Sequence, residues 1–336
     1  MSESIEVSWV LDDIAMSGTV VRPDGGSGAG PFPAVVMVAG SGPTDRDWCS
    51  PLLPGANGSG KLLAEALADA GIASLRYDKR ASGPHAVENA TKLMGRMSMA
   101  SHLDELVAAT DCLAGQSFVD AKRIVGLGNS EGTLHVLHYA TTLRTVPFAG
   151  LVLAAPPGRS IGAVLMTQLA LQAAQVPGGD AMMPLVEAAA HRYEAGEPMD
   201  PDPGLPESVR MVLLSFDTPM NLPFARELWS EDATAVLPKV TIPTLIIIGG
   251  KDLQVDQHLD GDPLQQAAAG MSNAAHAEHA GVAFAFPPNA NHVLKFDDRT
   301  PAEVAATPGN GYNADDTHLD PEALTAILDW LGKLFS

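Results

Sequence analysis

Short apolar runs alternate with amphipathic stretches along most of this chain, and that alternation limits the possible fold more than any other feature. Ala34–Val38, Ile72–Tyr77, Arg123–Leu127, Ala149–Ala154, Thr244–Ile248 and Val282–Phe286 are short runs rich in apolar and β-branched residues. Each has the length and composition of a strand buried on both faces. Between them, Gly60–Ala70 puts Leu62, Leu63, Ala66 and Leu67 on one helical face, and Met99–Leu113 and Thr133–Leu143 also read as helices. Strands that alternate with helices imply a mostly parallel sheet covered on both sides, because each crossover lays a helix on a face. Ile5–Val10 and Ile14–Val21 alternate at period two around Asp12-Asp13, which predicts an antiparallel hairpin ahead of the main sheet. A Gly-rich turn, Asp24–Pro31, follows it. Leu319–Phe335 predicts a closing amphipathic helix with Asp320 as N-cap and Pro321 at its first position.

From Pro156 the pattern changes. Ile161–Gln175, Met182–Tyr193 and Pro206–Ser215 read as short helices separated by Pro- and Gly-rich links, and no strand signal returns until Thr244. Residues 157–239 are therefore expected to form a helical lid inserted between two parts of one core, 1–156 and 240–336. The insertion is rich in adaptable apolar side chains such as Met166, Leu169, Met182, Leu213 and Phe216. Most are expected to form the core of the lid, and some to line an acyl pocket. Lys79–Met97 and Asp297–His318 are longer than ordinary connections, which marks them as functional or mobile.

Gly128-Asn129-Ser130-Glu131-Gly132 is a Gly-x-Ser-x-Gly match between an apolar run and a helix. In that setting the pattern predicts a sharp turn that exposes Ser130 above the sheet edge as a nucleophile. Read in isolation, the pentapeptide equally fits a Gly-rich turn with a capping Ser. A serine hydroxyl needs a neighbouring base, and the base needs an orienting carboxylate. Asp252 follows the strand Thr244–Ile248 directly, at the end where ligands bind in open α/β sheets, and Asp256 and Asp260 compete with it. His292 follows the last strand, with His318 as the second candidate base. His276 and His279 form an H-x-x-H pair without an adjacent third ligand, which favours a solvated role over a metal site. Charge developing on an attacked carbonyl oxygen calls for two backbone N–H donors. Glu131 supplies one by position, and Ser41 in the loop after Ala34–Val38 is the expected second.

The net charge is −20, from 40 acidic and 20 basic residues, which argues against nucleic acid or an anionic membrane as the main partner. Two cysteines, Cys49 and Cys112, are too few for a disulfide framework and have no metal-like spacing. The start of the chain lacks the basic residues and long apolar run of a signal peptide, and no run is long enough to span a bilayer, so the expected location is the cytoplasm.

Five segments together carry a family likeness: Gly40–Asp47 (GSGPTDRD), Arg76–Arg80 (RYDKR), Gly128–Gly132, Gly249–Val255 (GGKDLQV) and Asn289–His292 (NANH). Through them the chain resembles the α/β-hydrolases over most of its length, and more narrowly bacterial carboxylesterases with an acyl-peptidase-like elbow. The resemblance implies Ser130 as nucleophile, Asp252 as acid and His292 as base. It also implies hydrolysis of a small-molecule ester through an acyl-enzyme, without cofactor or metal. Two positions depart from the family pattern: Ala81-Ser82-Gly83 stands where Gly-x-Gly is usual, and Asn129 where His is common. Asp78 and Arg80 are expected to hold loops by ion pairing. A Ser at the elbow counts against a dienelactone hydrolase, whose nucleophile is Cys. Peptide, amide or thioester hydrolysis by the same triad is the alternative chemistry, and a non-catalytic binding module is the alternative of another class.

Overall fold

A computed structural model describes residues 2–25, 30–272 and 281–336. Eight strands form one sheet: β1 (Glu3–Leu11), β2 (Ile14–Arg22), β3 (Phe32–Val38), β4 (Ala73–Tyr77), β5 (Val119–Asn129), β6 (Gly150–Ala154), β7 (Thr244–Ile247) and β8 (Val282–Ala285). Their spatial order is β1-β2-β4-β3-β5-β6-β7-β8. β3 to β8 run parallel, and the β1–β2 hairpin joins antiparallel at the β4 edge.

The helices are α1 (Ser59–Asp69), α2 (Ala86–Ala90), α3 (Met99–Ala114), α4 (Glu131–Ala140), α5 (Ile161–Ala173), α6 (Met183–Glu194), α7 (Glu207–Ser215), α8 (Phe224–Trp229), α9 (Ala233–Val236), α10 (Asp262–Ser272), α11 (Pro301–Ala306) and α12 (Pro321–Phe335). Alternation along β3 shows why both faces are covered. Val36 and Val38 enter a core shared with Leu106 of α3 and Leu134 of α4. Val35 and Met37 enter a second core shared with Leu63 and Leu67 of α1 and Ile327 and Leu331 of α12. Successive strand residues point to opposite faces, so a run apolar at every position requires helices on each side.

The closing helix starts as its sequence predicts, with Asp320 accepting from the Ala323 N–H at 2.8 Å and Pro321 at the first turn. The elbow helix begins at Glu131, earlier than Thr133, and ends at Ala140 rather than Leu143. Gly132, the second residue of that helix, packs directly against the end of β3. α8, α9 and α10 lack a predicted counterpart. The first two are one or two turns long, too short for a periodic signal. Helical turns also interrupt both long linkers, at α2 and α11.

Five helices, α5 to α9, lie between β6 and β7. They hold an apolar cluster of their own, including Leu169, Val186, Tyr193, Leu213 and Trp229. The rings of Tyr193 and Trp229 meet edge to face with centroids 5.0 Å apart. No helix among the described residues is long and apolar enough to cross a membrane.

Candidate active site

Because β3 to β8 are parallel, their C-terminal ends share one edge of the sheet. The chain order reverses between β3 and β5, and that reversal opens a crevice. Gly40 and Ser41 follow β3, Ser130 follows β5, Asp252 follows β7 and His292 follows β8.

Ser130 stands at the turn from β5 into α4 with φ 53° and ψ −123°. That is left-handed backbone on a residue with a Cβ, a conformation that costs energy and persists only where its surroundings hold it. Here the hold is close packing. A Cβ at Gly128 would lie 2.3 Å from the Gly132 carbonyl oxygen, and one at Gly132 would lie 2.5 Å from the Val38 carbonyl oxygen. Glycine at both positions lets β5, the helix start and the end of β3 touch. The Ser130 N–H donates to the Ala154 carbonyl at 2.8 Å, tying the turn to β6.

His292 and Asp252 are both buried, and His292 Nδ1 lies 2.8 Å from Asp252 Oδ2. Asp252 Oδ1 accepts the Gln254 and Val255 N–H groups at 2.8 and 3.0 Å. One carboxylate oxygen is thus anchored by backbone, and the other faces the imidazole. Asp256 and Asp260, the competing acids, are engaged elsewhere. Asp256 accepts the His258 and Leu259 N–H groups, and Asp260 pairs with Arg159 at 2.9 Å. His318 stacks on Phe296, with ring centroids 5.5 Å apart. His276 and His279 lie outside the described residues.

Ser130 and His292 line one cavity of about 580 Å³, together with Gly40 and Ser41. α5 contributes Ile161, Val164 and Leu165 to its wall, and Val212 and Phe216 come from α7 and its C-cap. Of the residues between 157 and 239 singled out in the sequence, Phe216 faces the cavity, whereas Leu169 and Leu213 sit in the separate helical cluster. The stretch 305–313 closes another side through Pro308, Tyr312 and Asn313.

Tyr312 borders the site without any signal in the sequence. The Tyr312 ring lies nearly parallel to that of His292, and its hydroxyl accepts from Gln254 Nε2 at 3.0 Å. Burial pushes the Tyr312 phenol well up, with the nearby Asp252 charge adding to it. Asn129, at the position where the family often has His, donates from Nδ2 to the His292 carbonyl at 3.0 Å. It therefore binds the loop that carries His292 to the turn that carries Ser130. Asp78 and Arg80 each hold a loop, through separate partners: Asp78 pairs with Arg46 at 2.7 Å, and Arg80 with the buried Glu105. Cys49 is buried, and burial with the Asp45 and Asp47 charges pushes its thiol up to about 11.

The sheet order, the turn bearing Ser130 and the residues gathered at the strand ends define an α/β hydrolase. The model of the alpha/beta hydrolase family matches residues 35–307, and the chain belongs to that family. Esterase EstD of Thermotoga maritima is 28% identical over 251 residues, which are 74% of this chain and 54% of that protein. The chain thus spans about half the length of this curated relative. Among solved structures, proline iminopeptidase of Mycobacterium smegmatis aligns with TM-score 0.54 at 14% identity, over 98% of each chain. The 2,6-dihydroxy-pseudo-oxynicotine hydrolase aligns with the same score at 17% identity, over 98% of this chain and 68% of its own. These two likenesses concern the fold.

Proposed function

We propose that the chain is a serine carboxylesterase for uncharged esters of small to medium size. Ser130 Oγ attacks the acyl carbon while His292 Nε2 takes its proton. His292 then gives that proton to the departing alkoxide, and an acyl-enzyme remains. Water, deprotonated by the same imidazole, attacks the acyl carbon and releases the acid and Ser130. Asp252 keeps the proton of the neutral imidazole on Nδ1 and balances the imidazolium that forms. The Ser41 and Glu131 N–H groups face the oxygen that becomes negative, and residues 157–239 act as a lid that shapes the acyl pocket.

The observation that carries this reading is the buried 2.8 Å contact between Asp252 and His292, in a crevice where Ser130 sits on a left-handed turn lining the same cavity as His292. The cavity wall supports the substrate class. Among the described residues no Asp, Glu, Lys or Arg lines the cavity. A charged acyl or alcohol group would lose hydration there without gaining a counter-charge.

A fluorophosphonate should label Ser130 in the folded protein. Ser130→Ala should lose both the label and p-nitrophenyl ester turnover while its melting temperature stays within a few degrees. Retained turnover in Ser130→Ala would refute the proposal. Faster cleavage of matched amides than of esters would move it to peptide chemistry.

A further inference from the structure

Lys79 comes from the loop after β4 and lies outside the Ser130–His292–Asp252 set, yet it is buried behind the site. Its ammonium donates to the Gly40 carbonyl at 2.7 Å and to Glu131 Oε1 at 2.8 Å. Gly40, in the loop after β3, and Glu131, at the start of α4, belong to the two segments expected to supply the N–H donors for the developing oxyanion.

The peptide from Gly40 to Ser41 is trans, so its carbonyl and the Ser41 N–H point in opposite directions. Holding the carbonyl on the Lys79 side turns the Ser41 N–H toward the cavity that Gly40, Ser41 and Ser130 line. The second donor is the N–H of Glu131, whose own side chain is fastened to the same ammonium. Glu131 opens α4, and the first N–H groups of a helix have no intrahelical acceptor. Gly40 is close enough for this arrangement to matter: a Cβ there would lie 3.3 Å from Ser130 Cβ.

We propose that Lys79 is a positioning residue that clamps the two oxyanion donors into a single geometry, acting through the Gly40 carbonyl and the Glu131 carboxylate. The proposal rests on the esterase reading and adds to it a requirement for a third loop. The side chains behind the clamp support it. Glu131 Oε1 also lies 3.2 Å from His135 Nε2. Burial opposes the Glu131 charge, but Lys79 beside it and the His135 hydrogen bond hold its carboxyl well below the usual range. The Glu131 carboxylate is therefore ionised at neutral pH, and the Lys79 ammonium reaches both it and the Gly40 carbonyl. Its backbone is pinned as well, because the Lys79 carbonyl accepts the Ser82 N–H at 2.8 Å and the Ser82 hydroxyl at 3.0 Å.

The test compares Lys79→Met with the double variant Lys79→Met/Glu131→Gln, which leaves no unpaired buried carboxylate if the single variant fails to fold. Three quantities are measured on protein with a native circular dichroism spectrum: kcat and KM on a p-nitrophenyl ester, Ki for a trifluoromethyl ketone, and Ki for the matching non-reactive alcohol. The ketone adds Ser130 as a hemiketal and places an oxyanion between the donors. A loosened clamp should lower kcat by about 10- to 100-fold, less than the roughly 100- to 1000-fold cost of losing an oxyanion donor outright. KM should stay within about threefold, the ketone Ki should rise by the factor that kcat/KM falls, and the alcohol Ki should stay unchanged. Wild-type-like kcat in either folded variant, or a fall in kcat/KM with an unchanged ketone Ki, would overturn the proposal. Labelling of wild-type Ser130 by a fluorophosphonate separates the two levels. Without that label the clamp falls together with the esterase reading; with it, a negative result removes the clamp alone.

Discussion

Replacing Asp252 by Asn tests the proposed chemistry with the least disturbance to the structure. The side chain is fully buried, and its two oxygens have different duties. Oδ1 accepts two backbone N–H groups, from Gln254 and Val255, at 2.8 and 3.0 Å. Oδ2 faces His292 Nδ1 at 2.8 Å. An Asn side chain can keep the first duty only with its carbonyl oxygen on the two N–H groups. The opposite orientation sets donors against donors and leaves buried groups unpaired, at about 1–3 kcal/mol each. The backbone therefore selects the orientation that aims the Asn NH₂ at Nδ1. His292 must then accept at Nδ1 and carry its proton on Nε2, where it cannot take the Ser130 proton. Trapping the wrong tautomer in a triad of this kind lowers kcat by about 10⁴, or about 5 kcal/mol of barrier. Stability should change little, because both backbone contacts survive.

The assay is kcat on a p-nitrophenyl ester at neutral pH, with thermal unfolding as the control. The melting temperature should stay within a few degrees of wild type. A fall of less than tenfold in folded Asp252→Asn protein would refute the assignment of Asp252 as the acid. A loss of about 10⁴ in Asp256→Asn or Asp260→Asn would relocate that role.

Two further outcomes are expected. Burial, reinforced by the His102 charge against the Glu131 hydrogen bond, lowers His135 from an ordinary 6.5 to about 4. The unfolded chain therefore binds a proton that the folded chain refuses, so stability present above pH 6.5 is lost as pH falls toward 4. The loss is roughly 3 kcal/mol; urea unfolding between pH 4 and 7 should show it, and His135→Gln should flatten that slope, whereas an unchanged slope would exclude His135 as its source. In the cavity wall, Leu165→Trp should shorten the preferred acyl chain in a p-nitrophenyl ester series while leaving acetate turnover within about threefold, and an unshifted preference would place the acyl group elsewhere.

Much of the architecture was open to a reader of the sequence. Buried parallel strands such as Ala34–Val38 are apolar at every position, and a surface helix such as Pro321–Phe335 carries its apolar stripe and Asp320 cap within one short stretch. Ser130, Asp252 and His292 were visible as candidates for a related reason. In a parallel sheet every residue just past a strand reaches the same edge, so locating the strands nearly locates the site. Tertiary structure alone put Asp252, rather than Asp256 or Asp260, against His292, and engaged Asp260 with Arg159 from a hundred residues away. It likewise brought Lys79 under Gly40, linked Asn129 to the His292 carbonyl, and laid Tyr312 beside the imidazole. Periodicity records only the side on which a segment is buried. Contacts between loops depend on how distant segments close over one another, and no local pattern carries that information.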